Sequence, residues 1–322
     1  MRTPVAIAAL VTLLAAAAAP AHAGGARPRV DGPARVEPAP PVPLTAAQAD
    51  SVRRAIERNR AETLAWLESG ASSYLATVQR VDFGARATLT VGSAADADVR
   101  IADAALAARH LSVTVVGDSF RVVALEPGAA FRVGEAETRE ATVGPSGIGL
   151  GRYTLRLSHQ RFPAVIVFDP RSPRFQEYKP LAWFPVDVSY RYILPLTPNP
   201  EPDTVVILST RGNRRRAVSV GWFDFRVGKR ACRLQATRLL EPGIGERDIS
   251  VLFRDATTGR ESYAVGRYVE PEPLPDGRYL LDFNLCYNPA CAVSEHYNCP
   301  IPPRENDLRV PIRAGEKDAH YH

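Results

Sequence analysis

From about Ser73 to Tyr287 the chain repeats one pattern, short runs with apolar residues at every second position, separated by turns bearing Gly, Asp and Pro. Successive side chains of a strand leave opposite faces, so a period of two marks strands with one face in a core. Ala87-Leu89-Val91, Leu111-Val113-Val115 and Phe120-Val122 read this way, and Arg152 to Leu157 and Val165 to Phe168 continue the series. Pro170, Pro173 and Pro180 mark an irregular crossover. Beyond it, Thr204–Thr210 and Ala217–Val227 flank the turn signal Arg211-Gly212-Asn213-Arg214, and Ile249–Phe253 and Ser262–Val269 flank Asp255 to Gly259. The expected fold is mainly β: a β-sandwich over 71–160, then a second antiparallel domain, sandwich- or barrel-like, over 161–317.

One helix is expected before the strands. Thr45 and Gln48 have the spacing of a capping box, Ile56, Leu64 and Leu67 share compatible faces, and Ser69-Gly70 ends the segment, giving a helix within 44–70. Residues 24–43 hold six Pro without apolar periodicity and read as a disordered tether. Residues 1–23 read as a cleavable signal peptide: Arg2, an apolar run from Val5 to Ala19, and Ala21-His22-Ala23 as the small-x-small cleavage site. The run is shorter than the roughly 18 to 20 residues a spanning helix needs. An extracytoplasmic protein, periplasmic or secreted, with no membrane span after cleavage follows from that reading. The formal net charge of +5 is too mild to indicate nucleic acid.

Four cysteines, Cys232, Cys286, Cys291 and Cys299, read first as disulfides in an exported chain, with Cys291–Cys299 and Cys232–Cys286 as the pairing considered. A metal site using Cys286, Cys291 and Cys299 with His296 or the terminal His320 and His322 is disfavoured, because C-x4-C and C-x7-C are not zinc-knuckle spacings. No cofactor motif is present: there is no phosphate-cradling loop, and Gly144-Pro145-Ser146-Gly147-Ile148 lacks the second Gly of a nucleophile elbow. Arg214-Arg215-Arg216 reads as a solvated hairpin tip. The segment 278–288 reads as a strand with Tyr279, Leu281, Phe283, Leu285 and Tyr287 on one face and Asp282, Asn284, Cys286 and Asn288 on the other. Paired with 261–267, it would gather Tyr263, Arg267, Asp282 and Asn284 into a ligand site or, alternatively, a structural network.

Two family resemblances follow from these motifs. Val91-Gly92, Ala107-Ala108-Arg109-His110 and Phe131-Arg132-Val133-Gly134-Glu135 resemble a forkhead-associated (FHA) sandwich, which implies a buried structural role for His110. The phosphothreonine-contacting Arg and Ser of that family are here Ser93 and Ala107, and its Asn-Gly pair is Gly128-Ala129. The frame is therefore expected without phosphopeptide binding, since a phosphate would find no charged partner. More extensively, Phe253-Arg254-Asp255-Ala256-Thr257-Thr258-Gly259-x-Glu261-x-Tyr263, Gly266-Arg267-Tyr268, Asp282-Phe283-Asn284 and Tyr287-Asn288-Pro289-x-Cys291-Ala292 resemble the bacterial family DUF1684. Cys299-Pro300-x-Pro302-Pro303-x-Glu305-Asn306, Ala314-Gly315-Glu316-Lys317 and, upstream, Trp183-Phe184-Pro185-Val186-Asp187 complete the match. That resemblance implies no assigned activity. With the polar strand face, the ligand-binding candidates are Asp255, Tyr263, Arg267, Asp282, Asn284, Asn288, Glu305 and Asn306. The function expected is a non-catalytic envelope or secreted protein binding a small molecule or a protein; the alternative is a hydrolase using Tyr263, Arg267, Asp282 and Asn284.

Overall fold

A computed structural model describes residues 35–318. The segment expected to be a signal peptide (1–23), residues 24–34 of the expected tether and the last four residues lie outside that range. Helix α1 spans Ala46–Ser69 and opens with the capping box: the Thr45 hydroxyl accepts the Gln48 N–H at 3.3 Å, and the Gln48 side chain accepts the Thr45 N–H at 2.9 Å. Gly70 ends it, its N–H bonded to the Trp66 carbonyl at 2.8 Å, and a Cβ there would fall 2.5 Å from that oxygen. Ala49, Ile56, Arg60 and Leu67 form the buried face.

The N-terminal sandwich comprises β1 (Thr77–Asp82), β2 (Thr88–Gly92), β3 (Val99–Arg100), β4 (Leu111–Val116), β5 (Ser119–Ala124), β6 (Phe131–Val133), β7 (Ala136–Thr138), β8 (Glu140–Val143), β9 (Gly147–Leu150), β10 (Tyr153–Ser158) and β11 (Ala164–Phe168). One sheet has the order β1-β11-β10-β9-β6-β7 and the other β3-β2-β4-β5-β8. Alternate residues such as Leu89, Val91, Val113, Phe120, Val122, Leu155 and Leu157 fill the core between them. β11 pairs with both β1 and β10, so the sandwich runs to Phe168, beyond the expected boundary at 160. All five residues of β11 are buried. Val165 and Val167 enter the sandwich core, whereas Ile166 and Phe168 turn outward and pack beside Phe175 and Tyr297.

The second domain is built on a long hairpin. Its strands are β12 (Arg191–Leu194), β13 (Thr197–Pro198), β14 (Thr204–Leu208), β15 (Arg214–Val227), β16 (Arg230–Leu239), β17 (Val251–Phe253), β18 (Arg267–Val269), β19 (Glu272–Pro273) and β20 (Tyr279–Asp282). β15 pairs with β16 along its length and with β13 and β14 on its other edge, while β12-β20-β19 and β17-β18 form separate small sheets. No sheet closes into a barrel among the described residues. Tyr192, Phe223, Phe225, Leu234, Phe253, Leu281 and Phe283 make the core. The end of the supposed tether is ordered against it: Ala39 bridges Phe225, where β15 offers unpaired backbone groups, and the Val42 N–H bonds to the Arg191 carbonyl of β12 at 2.9 Å.

Candidate functional site

The strand expected over 278–288 ends at Asp282. Its carboxylate accepts the Asn284 N–H at 3.0 Å and the Asn284 side-chain amide at 2.9 Å, and this cap starts a 3-10 turn over Phe283–Leu285. Alternation stops at that point, so the single polar face expected from Asp282, Asn284, Cys286 and Asn288 does not form. Nor does Asp282 face Arg267 or Tyr263. β20 pairs with β12, placing Asp282 opposite Arg191, whose guanidinium lies 2.5 Å from the carboxylate. Asn284 reads the backbone of Asp187 in both directions, N–H and carbonyl each at 2.9 Å.

Arg267 forms a second centre. It is 1% exposed, stacked between Phe184 and Phe253, and donates to the carbonyls of Ile312 (2.7 Å), Ala314 (2.5 Å) and Glu316 (3.1 Å). Asp255 lies 3.5 Å from it and also accepts from Thr257, Thr258 and the Ile312 N–H. The arginine thus substitutes for a neighbouring strand, satisfying carbonyls of a C-terminal segment that pairs with no sheet. Asn306 does similar work, bonding Gln235 through N–H and carbonyl and the Leu252 carbonyl as well. Asn288 donates to the Lys317 carbonyl at 2.7 Å, and its own N–H meets Glu316 at 2.8 Å. Glu305 is exposed. Half-buried Tyr263 reaches only Cys291, its hydroxyl 3.5 Å from the carbonyl and 3.9 Å from the sulfur. Phe184 completes the clamp with its N–H on the Gly315 carbonyl at 2.9 Å. The motif residues therefore meet in space, but around residues 310–317 of their own chain.

Glu316 is the titratable member of this clamp. It is buried with Arg60 and Arg267 nearby, and burial raises its carboxyl to about 7. Arg60, brought from α1, donates to the Phe184 carbonyl at 3.0 Å and lies over Trp183.

All four cysteines are buried, and none is joined in a disulfide. The Cys232–Cys286 bridge is not formed: Cys286 points at the Ala314 carbonyl, 3.3 Å away, in the space left by Gly315, whereas Cys232 turns to the Arg230 carbonyl at 3.8 Å. Cys291 and Cys299 are neighbours, the Cys291 N–H lying 3.3 Å from the Cys299 sulfur. Hydrogen bonding with Cys299 lowers the Cys291 thiol, while burial holds Cys299 well above the ordinary range. No group of His, Cys, Asp and Glu among the described residues is arranged to hold a metal ion. The arginine run is not a solvated tip throughout. Arg215 is fully buried and paired with Glu241 at 3.1 Å, because strand alternation sends it inward between exposed Arg214 and Arg216.

Sequence reasoning missed a cleft of about 50 Å³ where the two domains meet. The outward face of β10 and the turn after it supply Arg156, Ser158 and Gln160; the loop after Tyr287 supplies Tyr297, Asn298, Cys299 and Pro300; Tyr74, Tyr268 and Tyr287 close the walls. Gln160 and Arg161 hold φ of 40° and 48°, the left-handed region that costs a non-glycine residue energy. The loop is docked by Thr77 and Ser294, whose hydroxyls lie 2.6 Å apart, by Arg80 on the His296 carbonyl at 3.2 Å, and by Tyr268 on the Pro300 carbonyl. These residues are spread over the chain, and only the β10 alternation, which puts Arg156 opposite Leu155 and Leu157, was visible beforehand.

At the expected FHA positions, His110 is buried, its ring accepting the Ala107 N–H at 3.1 Å and meeting the Ala130 carbonyl at 3.0 Å. The Ser93 hydroxyl is spent on the Leu106 carbonyl at 3.0 Å. Arg109 pairs with Asp96.

The family model described as "Protein of unknown function (DUF1684)" matches residues 176–317. Among solved structures, the solution NMR structure of an uncharacterized protein of Haloarcula marismortui is 36% identical, covers 46% of this chain and 80% of its own, and superposes with a TM-score of 0.37. The FHA domain of FhaA, crystallised with the intracellular domain of Rv3910, is 20% identical over 24% of this chain and 78% of its own, with a TM-score of 0.19. No curated protein matches. The clamp is assembled from the very motifs that carry the family match, and the chain belongs to the DUF1684 family of proteins of unknown function.

Proposed function

We propose that this is an exported, non-catalytic binding protein, in which the clamp around residues 310–317 is structural and the interdomain cleft receives the ligand. The observation that carries this reading is a contrast in hydrogen bonding. In the clamp Asp255, Asp282, Asn284 and Asn306 are engaged by the protein itself, and the atoms left without a partner there, Arg60 Nε, Arg267 Nε and Asn288 Oδ1, belong to side chains otherwise bonded; Tyr297, which lines the cleft, has no partner for its one polar side-chain atom. A hydrolase built on Asp282 would need that carboxylate free to take a proton, and it is committed to Arg191 and Asn284. No helix among the described residues is long and apolar enough to cross a membrane.

Export is tested by sequencing the N-terminus of the protein recovered outside the cytoplasm. Gly24 as the first residue is expected; an intact N-terminus on protein confined to the cytoplasm overturns it. The site assignment is tested by Asp282→Asn, expected to lower the melting temperature while leaving ligand binding unchanged. Loss of binding in a folded Asp282→Asn protein would return the site to the clamp.

Export also bears on the sulfurs. In an oxidising compartment Cys291 and Cys299 are expected to join, their two thiols giving two protons and two electrons to the disulfide of an oxidised thiol–disulfide oxidoreductase. Thiol titration of the exported protein, denatured without reductant, should then count Cys232 and Cys286 alone; a full complement of thiols refutes the bridge.

A further inference from the structure

We infer that the interdomain cleft recognises a small monocarboxylate, with the Arg156 guanidinium as its counter-ion. The inference rests on the reading of the cleft as the ligand site and adds the ligand's charge and size.

Charge comes first. Arg156 is half-buried on the outward face of β10 and makes no hydrogen bond or ion pair with any described residue. Buried arginines elsewhere in the molecule are matched: Arg215 by Glu241, Arg267 by Asp255 and three carbonyls. The Arg156 guanidinium is left to water in the cleft, so an anion entering there supplies the charged acceptor that the protein itself does not. The hydroxyls beside it point to the same sign. Tyr297 Oη is buried without a partner, and Ser158, 1% exposed, also spends its hydroxyl on nothing in the described chain. Each can donate. One fixed cation with two hydroxyl donors fits a single negative charge, and the planar guanidinium fork matches a carboxylate.

Size follows from volume. At roughly 10–15 Å³ per water-sized centre, a cleft of about 50 Å³ takes three to five such centres, which is the bulk of acetate or propionate. The rings of Tyr74, Tyr268 and Tyr287 give the short apolar end an aromatic wall. For a ligand of about four heavy atoms the efficiency ceiling places the dissociation constant no tighter than roughly 40 µM.

The test is titration of the full mature chain, at constant ionic strength and pH 7, with sodium acetate and sodium propionate against acetamide and inorganic phosphate. Calorimetry gives affinity and NMR shifts of the tyrosine rings give location. Saturable binding of the carboxylates is expected, with acetamide at least about 10-fold weaker. Arg156→Gln should weaken carboxylate binding about 10-fold or more, and Tyr297→Phe several-fold, both at an unchanged melting temperature. Unaltered binding by folded Arg156→Gln overturns the inference. So does acetamide or phosphate binding the cleft as well as acetate does, although the cleft then stands as a ligand site. Failure of all four probes to shift a cleft resonance overturns both the inference and the site.

Discussion

Glu316 shows how much one buried carboxyl can set. Its pKa of about 7 lies above the roughly 4.5 of an unfolded glutamate, so the folded protein retains a proton that the unfolded chain has released. Folding stability therefore falls as pH rises between about 4.5 and about 7, and is flat with respect to this group outside that window. Glu316→Gln should remove the slope. Relative to the parent, the variant should be unchanged near pH 4.5 and more stable by up to about 3 kcal/mol above pH 7, as read from urea unfolding at the two ends. Arg267 acts in the opposite sense. Replacing it by Gln strands the buried Asp255 and three carbonyls, and a loss of about 3–5 kcal/mol in urea-unfolding stability is expected. A change below about 1 kcal/mol would mean that the clamp is not held by this side chain. Sequence named both residues through the family motif, but it could not say that their partners would be main-chain groups of their own C-terminus.

At the level of elements, what could be read depended on whether the cause was local. The capping box of α1 and the turn at Gly212, with φ of 80°, are determined within a few residues, and both form as expected. Thr45→Ala should cost about 1 kcal/mol by urea unfolding, since one N–H at the helix start loses its acceptor. The sandwich strands were legible for the same reason: alternation needs only a core on one side. The strand at 279–282 was legible as far as Asp282 and no further, because a side chain capping its own backbone outweighed a perfect alternating pattern. Arg215 was misread through composition, since three consecutive arginines suggest a tip while strand geometry sends the middle one inward to Glu241. In β11 the sequence carries five consecutive apolar residues, Ala164 to Phe168, which require a covering surface on both faces, and the second of these is the C-terminal domain. The cleft was beyond reach from sequence, because its walls come from segments whose proximity is decided by that packing.

On the scale of the whole molecule, the two domains are joined by more than the chain that links them. Ile166 and Phe168 of the sandwich pack beside Tyr297, Thr77 meets Ser294, and Arg211 pairs with Asp82 across the junction at 3.2 Å. Calorimetry should accordingly show one unfolding transition with van't Hoff and calorimetric enthalpies equal; two resolved transitions would mean that the halves melt independently. Phe168→Ala should lower that single transition for both halves together, by about 3–5 kcal/mol at most. Because the cleft is walled by one domain on one side and the other domain opposite, its contents cannot be indifferent to the seam. A guest there acts as mortar: whatever prises the domains apart must also expel it, and whatever fills the space makes parting them harder by the free energy of its own attachment.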